Sequence, residues 1–520
     1  MMPVTRSDSF PQEVQTMRQL TPLDAQFLHA ESATTAAHVA GVAILEPACA
    51  STGGVTREAL IGLLRRRLHL TPALRMRLSD VPFGLDHPYW TEDSAFDVAD
   101  HVHETVLPMP GDESQLAEAV ARIHERRLDR RRPLWEMHLI HGLTGGRTAL
   151  YAKVHHCAVD GVSGAETLAA LLDLTPEPRE VEPPAERPPT AAPGLVRMLA
   201  GAVTRSVTHP ARLLRSLGRT VTDLDVVPVI ATLPGVRMMA AATRRLAGGR
   251  DLPAPPSLSA PRTPFNGRIS ARRRFSYGSI PLADVKRVAR AFEISVNDVV
   301  MALCASALRS WLRERDALPD RPLIAAVPVA VRTASARETV GNQLSAMITP
   351  MPTDVACPLE RLRIAGETMR AAKRRFARSP TAWPNELSSM VPPAVTALAT
   401  PVIFRLASMA PPPVNLLVSN VPGPQFPLYL CGARLLAYYP VSVLTDVSGG
   451  VNITCFSYDG SLDFGIISCP ERVEDAWRLM GHVQEAMDEL LALAGPAGEP
   501  GPRPAGRAEP RPRAGAPVLA

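Results

Sequence analysis

At 520 residues the chain is too long for one hydrophobic core, so two domains with tails are expected. Hydrophobic residues at 46% and charged residues at 21% exclude a disordered chain. A formal net charge of +5 suits anionic small molecules or an anionic membrane surface, but with aromatics at 5% and no basic patch interleaved with them it does not make a nucleic-acid surface.

In chain order, residues 1–19 read as a tail, and the opening MMPVTRSDSFPQEVQ lacks the apolar centre of a secretory signal. From 20 to 175, strand and helix patterns alternate. HVAGVAILEP (38–47) reads as a strand, and REALIGLLRRRLHL (57–70) as an amphipathic helix with Leu60, Leu63, Leu64 and Leu68 on one face. ESQLAEAVARIHERRL (113–128) is a second helix. WEMHLIHGL and TALYAKVHH are two strands of a hairpin turning at Gly145–Gly146. The segment YAKVHHCAVDGVSGAE (151–166) ends the second of these strands, and SGAETLAALLDL then starts a helix.

Residues 176–265 open on a proline-rich, charged linker. Basic amphipathic stretches follow, such as ARLLRSLGRTV, with Arg212, Arg215 and Arg219 opposite Leu213, Leu217 and Val221. Such a helix either packs on a domain or lies on an anionic bilayer. Residues 266–494 form a second α/β segment: IAAVPVAV and NLLVSNV read as buried strands, VNDVVMALCASALRSWLRE as a capped helix, and NITCFSYDGSLDFGIIS as a hairpin turning at Asp459–Gly460. Residues 495–520 read as a disordered tail. The uncharged stretches 387–404 and 406–433 are broken by prolines, so neither is expected to span a membrane. The seven cysteines show no CxxC and no metal-ligand spacing; neither a disulfide framework nor a metal site is expected, and a reducing cytoplasm fits.

The chemistry concentrates at His155–Gly161. Histidine titrates close to neutral pH and is the usual base for taking a proton from an alcohol. Neighbouring residues at a strand end point to opposite sides, so only one of His155 and His156 faces a given cavity. Asp160 is placed to fix the following turn, and Gly161 to supply backbone freedom there. Two rival readings are a Cys157–His nucleophilic pair and a metal site drawing on Glu136 or His138. On a strand Cys157 points away from His156, and no dense ligand cluster stands in the sequence.

His-His-x-x-x-Asp-Gly resembles the signature of the CoA-dependent acyltransferase superfamily. LTPLDAQFLHAES (20–32), GLDHPYW (84–90), LDRRRPLWEMHLI (128–140), VNDVV (296–300), AAVPVAVR (325–332), GNQLSAM (341–347) and NLLVSNVPGP (415–424) are similar, in order, to segments of the bacterial wax ester synthase/diacylglycerol acyltransferase family. The resemblance implies an α/β fold of the α+β sandwich kind: two chloramphenicol-acetyltransferase-like domains with an active-site channel between them. It implies transfer of a fatty acyl group from acyl-CoA, as co-substrate and with no cofactor, to diacylglycerol or to a long-chain alcohol. It carries over His156 as general base, His155 and Asp160 as support, and Gly161 as the turn residue. It also carries over Asn297 as a second-domain support, and Pro133, Leu134, Trp135 and Asp298 as residues at the substrate channel. Each has a structural reading beside this one: Trp135 as core, Asn297 as a helix cap, NVPGP as a turn. Greasy substrates imply a peripheral place on the inner face of the cell membrane or on lipid droplets. Two other functions remain open at this point. One is a condensation-type acyltransferase fed by a carrier protein; the other is a non-catalytic lipid-droplet protein.

Overall fold

The computed structural model describes residues 19–47, 54–158, 167, 170–183, 194–204, 260–330, 344–378, 392–393, 395–396, 400, 402 and 412–495. Asp160, Gly161, the Arg212–Arg219 stretch and most of the helix expected after 163 lie outside them.

In the first half the elements are α1 (Pro22–Ala30), β1 (His38–Leu45), α2 (Arg57–Arg67), β2 (Met76–Ser79), β3 (Tyr89–Glu92), β4 (Val102–Val106), α3 (Glu113–Glu125), β5 (Trp135–His141), β6 (Thr148–His155) and α4 (Leu195–Thr204). The second half contributes β7 (Arg274–Pro281), α5 (Leu282–Ala291), α6 (Val296–Arg313), β8 (Leu323–Ala330), β9 (Leu344–Met351), α7 (Pro358–Arg378), β10 (Leu416–Pro422), β11 (Tyr429–Leu430), β12 (Ala433–Val441), β13 (Val451–Tyr458), β14 (Ser461–Ser468) and α8 (Ala476–Ala494).

Local chemistry sets several of these boundaries. Thr21 caps α1 by accepting from the Asp24 N–H, with Pro22 in the first helical position. Capping boxes open α3 (Asp112 with Gln115) and α6 (Ser295 with Asp298). The cap of α6 is therefore Ser295, and Asn297 sits two residues on, within the first turn. The helix expected over 57–70 stops at Arg67 and tightens into a 3₁₀ turn at Leu68–Leu70. The expected 113–128 helix ends at Glu125. The hairpins form where the turn residues put them: β5 pairs with β6, and β13 with β14 across Asp459 and Gly460, both with positive φ.

Two six-stranded sheets result. The first has the order β11-β12-β1-β6-β5-β4, the second β7-β14-β13-β10-β8-β9. On one face of the first sheet α2 buries Leu60, Leu63 and Leu64 against Leu45, Met137 and Leu139. On the other, α3 buries Leu116 and Val120 with Val42, Ile140 and Tyr151. The second sheet packs on α6, whose residues Val299–Leu308 are all buried.

One feature of the architecture departs from the linear division. Strands β11 and β12 fall within residues 266–494, yet they complete the first sheet, with Ala40 opposite Val441 and Val42 opposite Tyr439. A locally apolar strand carries no mark of which sheet it will join. While paired to β1, β12 also lies over β14: the Tyr438 N–H donates to buried Asp463 (2.9 Å), and Gly465 leaves no room for a Cβ against the Pro440 carbonyl. A second tie comes from Arg273, just before β7. Its guanidinium donates to the Thr34 carbonyl (2.7 Å), and its N–H to Glu125 (2.7 Å).

Candidate functional site

β6 runs beside β1 until His38 faces His155, and the chain then turns, with the Ala158 N–H on the His155 carbonyl (2.9 Å). Both histidine backbones are held. The His155 N–H donates to the Leu134 carbonyl (2.9 Å), and the His156 N–H to the Ala37 carbonyl (2.8 Å). The side chains part as strand alternation requires: His155 is 1% exposed, His156 half-buried.

His155 is hydrogen-bonded at one ring nitrogen, and the other lies against a carboxylate. Its Nδ1 accepts from the Cys157 N–H (3.1 Å), which places the neutral ring's proton on Nε2. Nε2 faces Glu31 Oε1 at 3.4 Å. Glu31, at the end of α1, is itself bound. Oε1 accepts from the Ala37 N–H (3.0 Å), and Oε2 from Arg130 Nη2 (2.7 Å) and Nε (3.1 Å). Burial works against its charged form, but His155, the Ala37 N–H and Arg130 outweigh it and hold the carboxyl at about 2. The loop between Glu31 and Ala37 thus grips both histidines, one by a side chain and the other by a carbonyl.

His156 is oriented by stacking. The Phe27 ring on α1 lies 4.2 Å from it, at an interplanar angle of 5°. Its ring plane is set by α1, and Arg130 holds the end of α1 through the Leu28 carbonyl (2.6 Å). Cys157 is buried, and burial, with Asp24 and Glu31 adding, pushes its thiol well above the usual range. A protonated thiol is a poor nucleophile, which counts against the Cys-His reading.

Glu31, Phe27 and Arg130 were not singled out from sequence. All three lie in the family-like segments, but Phe27 reads as a core residue of α1 and the two charges as solvated ends. Only the fold brings 27, 31 and 130 to 155–156.

The other expected site residues fall into two groups. Pro133, Leu134 and Trp135 are buried beside β6. Trp135 spends its indole N–H on the Leu74 carbonyl (2.7 Å), and its ring stacks on His101 at 4.6 Å, the contacts of a core side chain. Leu134 serves the site through its carbonyl. At the start of α6, Asn297 Oδ1 accepts from Asn420 Nδ2 (3.2 Å), and Asn420 accepts in turn from the Cys455 thiol (3.3 Å). Asp298 is committed to the helix cap, accepting from the Ser295 N–H (3.1 Å).

Among the described residues, one group of side chains has metal-ligand composition. His103, Glu136 and His138 place donor atoms within 4.8 Å of one another. The Lys153 ammonium, buried and 3.2 Å from Glu136 Oε2, already supplies that carboxylate with a cation. With His103 exposed, Glu136 partly exposed and His138 buried, the cluster reads as a half-buried ion-pair network.

Comparison with known proteins decides the family. The model described as the wax ester synthase/diacylglycerol acyltransferase catalytic domain matches residues 20–300, and that of the WS/DGAT C-terminal domain matches 340–491. The chain belongs to this family. Among similar sequences, a Mycobacterium tuberculosis protein named as a diacylglycerol O-acyltransferase is 35% identical over 478 residues, covering 91% of this chain and 90% of its own. A second from that organism, named as the diacylglycerol O-acyltransferase tgs2, is 33% identical over 489 residues, covering 92% of this chain and all of its own. Among solved structures, the wax ester synthase/diacylglycerol acyltransferase of Marinobacter aquaeolei VT8 superposes with a TM-score of 0.65 at 29% identity, over 92% of this chain and all of that one. The WS/DGAT resemblance read from the ordered motifs therefore holds. So does the two-domain acyltransferase fold, and with it the assignment of the chain as an O-acyltransferase of triacylglycerol or wax ester synthesis.

Proposed function

We propose that this WS/DGAT member moves a long-chain acyl group from acyl-CoA to the hydroxyl of diacylglycerol, and to long-chain alcohols as alternative acceptors, with His156 as general base. The observation that carries this reading is the arrangement at the end of β6. A half-buried imidazole is fixed by Phe27 and the Ala37 carbonyl, beside a fully buried one locked to Glu31. Such a pair suits proton abstraction, which needs one ring positioned to take a proton and a frame that holds it still.

His156 takes the hydroxyl proton as the acceptor oxygen attacks the thioester carbonyl. The C–O bond forms, the intermediate collapses, the C–S bond breaks, and the proton passes from His156 to the departing CoA sulfur. Acyl group, proton and thiol balance in a ternary complex without a covalent acyl-enzyme. His155 and Glu31 hold the frame, and the family pattern assigns Asp160 and Gly161 to its support. Asn297, with Asn420, supports the site from the second domain as a source of hydrogen bonds to the developing oxyanion. The acceptors are lipids, so the protein works against a lipid surface, the inner face of the membrane or a droplet. Among the described residues no single helix is long and apolar enough to cross a membrane.

The test is CoA thiol release from palmitoyl-CoA, with diacylglycerol and hexadecanol offered separately, by wild type and His156→Ala. Acceptor-dependent release that falls about 10²–10⁴-fold in the variant is expected. Absence of release from folded wild type with either acceptor sinks direct use of acyl-CoA and points to a carrier-bound donor or a purely lipid-binding protein.

A further inference from the structure

From the candidate base a path of small and apolar side chains runs down one face of the first sheet. On β6, Leu150, Ala152 and Val154 share by alternation the face of His156. On β1 their register partners are Ala43, Gly41 and Val39. Val154, Val39 and Ala152 are partly exposed, whereas Leu150 and Ala43 are buried. The row nearest His156 is thus open, and the third row is closed.

Tyr438 crosses the path at its second row. It lies on β12, the strand that the second half of the chain contributes to this sheet, in register with Ala43. Its side chain leans one row towards His156 and lies over Gly41, where an added Cβ would stand 2.0 Å from the Tyr438 Oη. Only glycine lets the phenol lie so low there. The ring packs on Phe456 of the second sheet, with 4.9 Å between centroids. One apolar cluster gathers Ala152, Val154 and Tyr438 with Val421 and Phe456, so the second sheet supplies the facing wall.

The dimensions of the path bear on what fills it. From His156 to the row of Gly41 and Ala152 is four strand residues, roughly 13 Å at about 3.3 Å each. That is the scale of a fatty chain rather than of a headgroup. The path is apolar on both walls and starts where the reacting atoms must lie, so it suits the part of a substrate that makes no hydrogen bonds. One pair of strand rows is as wide as a single chain. Diacylglycerol carries two chains beside its reacting hydroxyl, whereas an acyl-CoA carries one, so the donor is the match.

We infer that the fatty chain of the acyl donor lies along Val154, Val39 and Ala152, and that Tyr438, lying across Gly41, is the stop that selects its length. The inference rests on the acyl-CoA reading above and adds the residue that discriminates among donors.

The test is calorimetric binding of decanoyl-, palmitoyl- and arachidoyl-CoA to the full chain with no acceptor present, followed by kcat/KM for each donor with hexadecanol. Wild type is compared with Tyr438→Leu, Tyr438→Phe and Ala152→Leu. Leucine keeps an apolar side chain against Phe456 but does not reach Gly41. In Tyr438→Leu the preference for palmitoyl over arachidoyl is expected to shrink about tenfold, in affinity and in kcat/KM alike. Tyr438→Phe keeps the ring and is expected to keep the wild-type order. Ala152→Leu adds volume at a partly exposed position, leaves no cavity, and is expected to shift the preference towards decanoyl by about the same factor. Wild type that binds all three donors equally, or variants that rank them as wild type does, overturn the assignment. So does a changed ranking of alcohols at fixed palmitoyl-CoA with the donor ranking unchanged, which makes the acceptor the occupant. Donor binding that follows these expectations while wild type shows no turnover speaks against the acyltransfer reading alone.

Discussion

His155 and His156 are neighbours in sequence with opposite duties, and the residue that separates them is Glu31. Replacing it with glutamine keeps the shape and removes the charge that holds the His155 ring and the Arg130 guanidinium. The expected outcome for Glu31→Gln is a kcat lower by about tenfold, some 1.4 kcal/mol of lost positioning, with the KM for acyl-CoA little changed. Steady-state kinetics check this; equal losses in Glu31→Gln and His156→Ala would make Glu31 part of the chemistry. The carboxyl stays ionised through any practical assay, since its pKa of about 2 lies below its ordinary value of 4.5. What it adds to stability is complete above that ordinary value and is lost as pH falls toward 2. The paired histidines were legible in the sequence because their spacing to Asp160 is a local pattern. Glu31 was not, because its role depends on a contact to residue 155 that the chain makes only after folding.

At the scale of elements, what was readable were the turns written in adjacent residues, Asp459–Gly460 and the Gly145–Gly146 reversal, whereas the cap of α6 read as Asn297 is Ser295. What was not readable were the buried polar ties between elements. Arg67, at the end of α2, reads as one of three solvated arginines. Yet it is 1% exposed and donates to Asp173 (2.8 Å) and to the Leu171 carbonyl (2.9 Å). Asp173 in turn exchanges backbone hydrogen bonds with Tyr429. Removing the guanidinium takes the closest counter-charge from a buried carboxylate that retains the Arg179 N–H (3.2 Å), so Arg67→Ala is expected to cost about 3 kcal/mol in denaturant unfolding. A second tie lies under α3, where His124 Nδ1 bonds the Tyr151 hydroxyl (2.8 Å) and the His124 carbonyl bonds His38 Nε2 (2.8 Å). Burial, with Arg273 and Lys153 adding, holds His124 at about 3, against an ordinary 6.5. Burial and then His124 hold His38 well below its usual range. Both stay neutral when folded and bind protons when unfolded. Their contribution is therefore full above pH 6.5 and declines as pH falls from there toward 3. Unfolding midpoints measured across that window are expected to drop, and His124→Gln to flatten the slope.

At the scale of the whole molecule, the sequence reads as two α/β segments, and it does not show that a strand of the second joins the sheet of the first. Pattern and propensity place β12 as a strand; only tertiary pairing decides which sheet receives it. Arg273 works in the same direction. From the second segment it holds Thr34, within the loop whose two ends, Glu31 and Ala37, grip the histidines. The candidate site is thus assembled by both segments although its histidines belong to one. That strand crossing has a consequence during synthesis. β1 leaves the ribosome early and finds β6 on one side, but its other side stays unpaired until β12 has been made. At roughly 5–20 residues per second, a nascent chain carries that open edge for on the order of tens of seconds. The edge bears Val42 and Ile44, the apolar strand type that recruits foreign strands. The growing polypeptide therefore depends on a chaperone, or on fast completion, more than its short-range hairpins alone would require. A fragment ending before residue 433 exposes the same edge permanently.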